Sequence, residues 1–293
     1  MARRTEKPST VLGRQLGEEL RKFRESAGIT MASAAEALDC TKGKISRIEN
    51  GRVAVRTPDV LALLRAYGVE QEGEIATRLT DLARTANRRR RTGWWNQYGP
   101  VLADTYRDYI ALEATASTIR TFQGQLIPGL LQTADYVRAV TVASKAWQTP
   151  SEIEQFVRVR LARQERLVAD DPLSVWAVVA EGVLRQQVGG PNVMSAQLEH
   201  LMSVADLPNV QIQILPFHRG AHASMFGPYV ILSFTETSAL DVVLADNPTG
   251  SIWLEHEPEV ARYRALFDDA RSSALSPAES LSLIHKLSKE HGE

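Results

Sequence analysis

Apolar residues recur at three- and four-residue spacing through the first third of the chain and shift to alternation past its middle, which predicts helices first and a sheet later. Leu12, Leu16, Leu20 and Phe23 share one face of a helix from Val11 to Ala27, with Gly28 as its stop. A short helix from Ile29 to Leu38, capped by Thr30, follows, and only Asp39 and Cys40 separate it from a third at Thr41 to Gly51. There Ile45 and Ile48 stand three apart on one face, while Lys42, Lys44, Ser46 and Arg47 carry the remaining surface. Thr41 is an N-cap and Gly51 a C′ residue, so both ends of this helix are marked. Thr57 as N-cap and Pro58 at N1 open a fourth helix through Leu61, Leu63, Leu64 and Tyr67, which Gly68 closes. A fifth helix, from about Glu72 to Asn87, leads into four consecutive arginines, Arg88 to Arg91, read as a solvated strap.

Beyond Trp94 and Trp95, helices are expected at Asp104 to Ala116, Ala134 to Lys145 and Ser151 to Val168. Ile119 to Thr133 reads as an extended segment, a Pro-Gly turn and a capped helix start. Short strands follow at Leu173 to Val179, Val210 to Leu215, Tyr229 to Phe234, Asp241 to Leu244 and Ser251 to Leu254, with a helix at Val193 to Ala205 and two more at Glu259 to Arg271 and Pro277 to Lys289. The expected fold is α+β: an all-α five-helix domain, then a mixed α/β domain with a sheet of about five strands. The division is a tail at 1–10, a helical domain at 11–70, a helical arginine-rich linker at 71–93 and a second domain at 94–293.

A chain of 293 residues with 44% hydrophobic content can bury a large core and fits about two domains. It has no apolar run long enough to span a membrane and no signal peptide, which points to the cytoplasm. A single cysteine, Cys40, leaves neither an intrachain disulfide nor a cysteine-cluster zinc site, and reads as a small filler at a turn. The net charge of −1 hides an asymmetry: residues 1–100 carry +7 and the remainder −8. The basic part contains the helix, tight turn and helix of the DNA-binding unit, as attraction to phosphate requires.

Gly28-Ile29-Thr30, Ala34-Ala35 with Leu38, and Ile45-Ser46-Arg47-Ile48-Glu49-Asn50-Gly51 resemble the Cro and phage-repressor type of helix-turn-helix, also called the xenobiotic-response-element type, over about Leu12 to Val69. That resemblance implies that Lys42, Gly43 and Arg47 enter the major groove, with Thr41, Lys44 and Ser46 as flanking contacts. Arg52 joins those that position the helix on phosphate. It also implies an ion pair between Arg24 and Glu49 as an internal brace. The sequence departs from the family at Met31, where a phosphate-contacting glutamine is common. The implied partner is a double-stranded operator bound by a homodimer on the nucleoid.

Trp94-Trp95, Tyr109 with Leu112-Glu113, Ile127-Pro128-Gly129-Leu130-Leu131-Gln132-Thr133 with Tyr136, Arg163-Gln164, Val188-Gly189-Gly190, Gln197-Leu198 and Leu215-Pro216-Phe217 are similar to the domain that follows the helix-turn-helix in actinobacterial WhiJ-like regulators. The similarity implies a role in development or antibiotic production and a small protein partner encoded by a neighbouring gene.

No enzyme is expected: no Gly-x-Ser-x-Gly, phosphate loop or dinucleotide fingerprint occurs, and His218 and His222 have no acidic or cysteine partner at metal-ligand spacing. Neither a metal nor a cofactor is therefore assigned. A mixed sheet with covering helices can hold a small-molecule effector in a cleft, whose expected walls are Ile127, Leu130, Trp176, Glu181, Phe217 and Phe226. The reading is a transcriptional regulator whose second domain dimerises and senses a small molecule or binds a protein partner. The alternative is an antitoxin-like protein that neutralises a small neighbour and regulates its own expression.

Overall fold

The computed structural model describes residues 11–51, 53–70, 73–98, 101–147, 149–234, 241–247, 250–254 and 256–292. The chain forms two compact units, Met1–Leu112 and Glu113–Glu293. This division falls later than Trp94, where the tryptophan pair suggests the second domain begins.

The first unit contains five helices before Gly93: α1 (Val11–Ser26), α2 (Met31–Ala37), α3 (Lys42–Glu49), α4 (Thr57–Ala66) and α5 (Glu74–Thr92). Their apolar stripes converge on one core, with Leu16 and Leu20 of α1, Ala34 and Ala35 of α2, Ile45 and Ile48 of α3, Leu63 and Leu64 of α4, and Leu79 and Ala83 of α5 all buried. Burying these side chains is the main driving force for the unit. Two expectations change. The cap of α4 is Arg56 rather than Thr57, and it makes no side-chain cap bond; its guanidinium instead reaches Asp59 at 3.0 and 3.3 Å. The backbone of α5 stays helical through Arg88–Arg91 to Thr92, so those arginines continue the helix instead of forming a strap. Arginine has good helix propensity, and no glycine or proline interrupts the run before Gly93. A short 3-10 turn (Trp94–Tyr98) and α6 (Asp104–Glu113) complete this part of the chain.

The second unit is built on six strands, β1 (Thr118–Gln123), β2 (Ser174–Ala180), β3 (Val210–Leu215), β4 (Tyr229–Ser233), β5 (Val242–Asn247) and β6 (Gly250–Leu254), in the order β3-β2-β1-β4-β5-β6. The sequence pattern predicts five of these strands and leaves β1 as an extended segment. β1, β2 and β3 are parallel, and β4, β5 and β6 continue from β1 in antiparallel fashion. Parallel neighbours require crossovers. These are α7 (Ala134–Ser144) with α8 (Pro150–Gln164), and the short α9 (Glu181–Arg185) with α10 (Pro191–Ala205).

After β6 come α11 (Glu257–Ser273) and α12 (Pro277–Gly292). One face of the sheet packs Phe122, Val178, Tyr229, Ile231 and Val243 against Val260, Phe267 and Ala270 of α11. The alternate residues Ile119, Val175, Ala177, Ile212 and Ile214 are buried as well, so both faces are covered. At the β3 edge, the α11–α12 connection and the first turn of α12 bond Ile214: Leu275 N–H donates to the Ile214 carbonyl and Ile214 N–H to Ser280 Oγ, both at 2.9 Å. The outward backbone groups of Ile214 are thereby paired.

Candidate nucleic-acid interface

The recognition segment is fixed from three sides. At its start, Thr41 Oγ1 accepts from Lys44 N–H at 3.3 Å, and at its end Gly51 adopts a φ of +64° that a Cβ would disfavour. From below, Ile45 and Ile48 are buried to 0% and 1% exposure. From the side, Arg24 Nε and Nη2 donate to the two Glu49 carboxylate oxygens at 2.6 and 2.9 Å, and Arg24 Nη1 donates to the Ile29 carbonyl at 3.1 Å. The Arg24 to Glu49 brace implied by the repressor resemblance is therefore formed, and it ties α1 to α3 and to the turn that leads into α2.

The link between α2 and α3 is equally local. Thr30 caps α2 by accepting from Ser33 N–H at 3.2 Å, and Asp39 takes the left-handed conformation at φ +45° that turns the chain into α3. Aspartate tolerates that region better than most residues. Cys40 is half-buried against the helical core, and its thiol donates to the Thr41 carbonyl at 3.7 Å.

With its base buried, α3 leaves a polar edge outward. Lys42, Gly43 and Arg47 are exposed together with Thr41, while Lys44 and Ser46 are half-buried. Arg47 folds back toward the helix N-terminus, as long helical side chains do, and its Nη1 lies 3.6 Å from where a Gly43 Cβ would stand. Six of the seven residues read as DNA contacts therefore form one continuous strip; the seventh, Arg52, lies outside the described residues. Met31, at the start of α2, is exposed and presents a thioether where a glutamine amide could reach a phosphate.

One positioning residue escapes a sequence reading. Gly17 sits in the interior of α1, and a Cβ there would overlap the carbonyl oxygens of Ile48 and Glu49. A glycine within a strong helical pattern was the available signal, since it costs roughly 1 kcal/mol relative to alanine and calls for a packing reason.

In the second unit the six expected cleft residues are not brought to one place. Ile127 and Leu130 are interior, in a loop whose polar groups are taken up by neighbouring side chains. Tyr136 Oη accepts from Ile127 N–H at 3.2 Å, Gln132 Nε2 donates to the Ile127 carbonyl at 2.7 Å, and Gln197 bonds both Thr133 N–H and the Leu131 carbonyl at 2.7 Å. The buried pair Arg163 and Glu113, joined by two bonds of 2.6 Å, belongs to the same unit. Trp176 donates to Gln213 Oε1 at 2.8 Å and lies under the Arg271 guanidinium. Glu181 accepts from Phe217 N–H at 2.9 Å and from Arg185 Nε at 2.8 Å. Burial pushes the Glu181 carboxyl up, but these two donors outweigh it and hold it below the ordinary glutamate value. Phe217 is largely exposed, and Phe226, fully exposed, borders a cavity against α11 that none of the other five lines.

Two short helices joined by a tight turn, the second with a buried apolar base and an outward cationic strip, define a DNA-binding regulator of the helix-turn-helix class. Residues 15–77 match the helix-turn-helix domain family. Residues 106–286, more than half the chain, match the domain of unknown function DUF5753, and the chain belongs to that family. No curated protein and no solved structure matches it. Among the described residues, no helix is long and apolar enough to cross a membrane.

Proposed function

We propose that this chain is a sequence-specific, non-enzymatic transcriptional regulator that binds its operator as a homodimer, with α3 of each copy in a major groove about 34 Å apart or a multiple of that spacing. The observation that carries the reading is the strip Lys42, Gly43 and Arg47, held outward by the buried Ile45 and Ile48. Arg47 and Lys42 read base edges, favouring guanine, and Thr41, Lys44, Ser46 and Arg52 position the helix on the backbone. The second unit dimerises and carries the regulatory input, a reading that rests on the resemblance of its Ile127 to Thr133 segment to the corresponding domain of WhiJ-like regulators.

Selection of bound sequences from random DNA, followed by titration across operator variants, tests this. Arg47→Ala is expected to relax preference at one base pair per half-site, whereas Lys44→Ala and Arg52→Ala weaken every sequence alike. Uniform loss for Arg47→Ala would contradict the assignment, and a selection that enriches no sequence would end the reading.

A further inference from the structure

The DUF5753 unit contains a cavity of about 450 Å³ between the β4–β6 end of the sheet and α11, within the range of small-molecule sites. Its interior is aromatic and aliphatic: Tyr229 and Tyr263 meet edge to face with centroids 5.1 Å apart, and Leu254 and Leu266 complete the walls. The buried polar side-chain groups in this lining are a hydroxyl pair, Ser224 Oγ and Tyr229 Oη, 3.0 Å apart. Burial pushes the Tyr229 phenol up to about 12, so it remains a neutral O–H.

The mouth is unusual for a protein surface. Phe226 is 100% exposed and Ile252 53% exposed, two large apolar side chains bordering the same opening. Phe226 ends a short 3-10 turn (Ala223–Phe226) flanked by Gly220 at φ +63° and Gly227 at φ +143°, both in the region that favours glycine. A ring placed there has apolar area to bury and nothing in the described chain that buries it.

Charge narrows the occupant. Arg262 and Glu259 stand one turn apart on α11 at the exposed rim of the cavity, and among the described residues the ion pairs of α11 are made by Arg264 and Arg271 and involve neither of them. The nearby Arg264 is already satisfied, by Glu257 at 3.0 and 3.1 Å and by Asp241 at 2.7 Å. Arg262, without an ion-pair partner among the described residues, offers one positive charge to an anionic group, and the Glu259 carboxylate beside it disfavours a polyanion. The apolar walls require that the rest of the ligand be hydrophobic, and the tyrosine and phenylalanine rings favour a flat one.

We propose that this cavity binds a small aromatic or fused-ring organic acid, with its ring between Tyr263 and Phe226 and its single acidic group on Arg262. The site stands independently of the DNA reading. Its use as the regulatory input rests on that reading.

The test is a titration of the full chain with 8-anilinonaphthalene-1-sulfonate, a monoanionic aromatic dye, alongside the uncharged 1-anilinonaphthalene. Saturable fluorescence from one site per chain is expected. Arg262→Ala should weaken the sulfonate about tenfold, the size of a lost charge-assisted bond, while leaving the uncharged dye unchanged. Phe226→Ala, at a fully exposed position that leaves folding intact, should weaken both, and Leu266→Trp should abolish both by filling the cavity. Non-saturating fluorescence, or equal sulfonate affinity in wild type and Arg262→Ala, would overturn the proposal and mark an adventitious apolar surface. Operator affinity measured in the same samples separates the two readings. Normal operator binding without a saturable dye site removes the cavity alone; a saturable site in a chain that binds no operator sequence removes the regulator and leaves the cavity.

Discussion

Gly17 of α1 lies directly against the carbonyl of Glu49 at the end of α3, with no room for a single carbon between them. The two helices therefore meet backbone to backbone at the point where the recognition helix ends. Alanine at an ordinary interior helical position would stabilise by roughly 1 kcal/mol. Here the methyl group must displace α3, an overpacking cost of typically about 1–3 kcal/mol, so Gly17→Ala is expected to lower stability. Thermal denaturation of the purified chain should show an earlier transition and operator titration a weaker complex; an unchanged or raised midpoint would show that α3 gives way freely.

The Arg24 and Glu49 pair is buried, with side-chain exposures of 7% and 3%, and each group depends on the other. Removing one charge strands its partner, which costs about 3–5 kcal/mol, whereas replacing both with apolar residues is often nearly neutral. Glu49→Leu should destabilise strongly and Arg24→Met with Glu49→Leu should recover most of the loss. A double-mutant cycle in denaturant measures this, and additive single and double effects would contradict the pairing.

Tyr67 is almost fully buried in the helical core, and its hydroxyl has no hydrogen-bond partner among the described residues. Burial also pushes its phenol up to about 12. Tyr67→Phe removes an unsatisfied oxygen without opening a cavity, so stability should rise by about 1 kcal/mol. The sign of the pH dependence follows. The unfolded phenol ionises near 10 and the folded one near 12, so the wild type loses stability as pH rises above about 10, and Tyr67→Phe should lose less over that window. Parallel alkaline denaturation curves for the two proteins would refute this.

Gln197 is fully buried and uses both ends of its amide, accepting from Thr133 N–H and donating to the Leu131 carbonyl. Gln197→Leu leaves two buried backbone groups unpaired, at roughly 1–3 kcal/mol each. Expected results are a lower denaturation midpoint and faster hydrogen exchange at Thr133, with operator contacts by α3 preserved. Unchanged exchange at Thr133 would show that Gln197 does not hold this loop.

Local chemistry made the first unit legible in the sequence. Caps at Thr30 and Thr41, the stop at Gly51 and the spacing of Ile45 and Ile48 are written within a few residues of one another, and side-chain capping and helical periodicity act over that same range. Even there the sequence ended α5 early at Asn87, because a run of like charges reads as solvated chain while the backbone follows the intrinsic helix preference of arginine. In the second unit, alternation located β3, and short apolar runs marked β2 and β4, but β1, at the centre of the sheet, read only as extended. Its identity depends on β2 and β4, which lie more than fifty and a hundred residues away and supply its hydrogen bonds.

The sequence by itself determined the two short helices, their tight turn and the polar edge of the second, since these follow from caps, periodicity and short spacings, whereas the Arg24 to Glu49 brace was implied only by the repressor resemblance. Only the tertiary structure decided that Gly17 is a contact point, that Ile127 and Leu130 are interior, and that Tyr229, Ile252 and Arg262 surround one cavity. Those relationships join segments far apart in the chain, and no local rule of backbone or side-chain preference encodes which distant surfaces will meet.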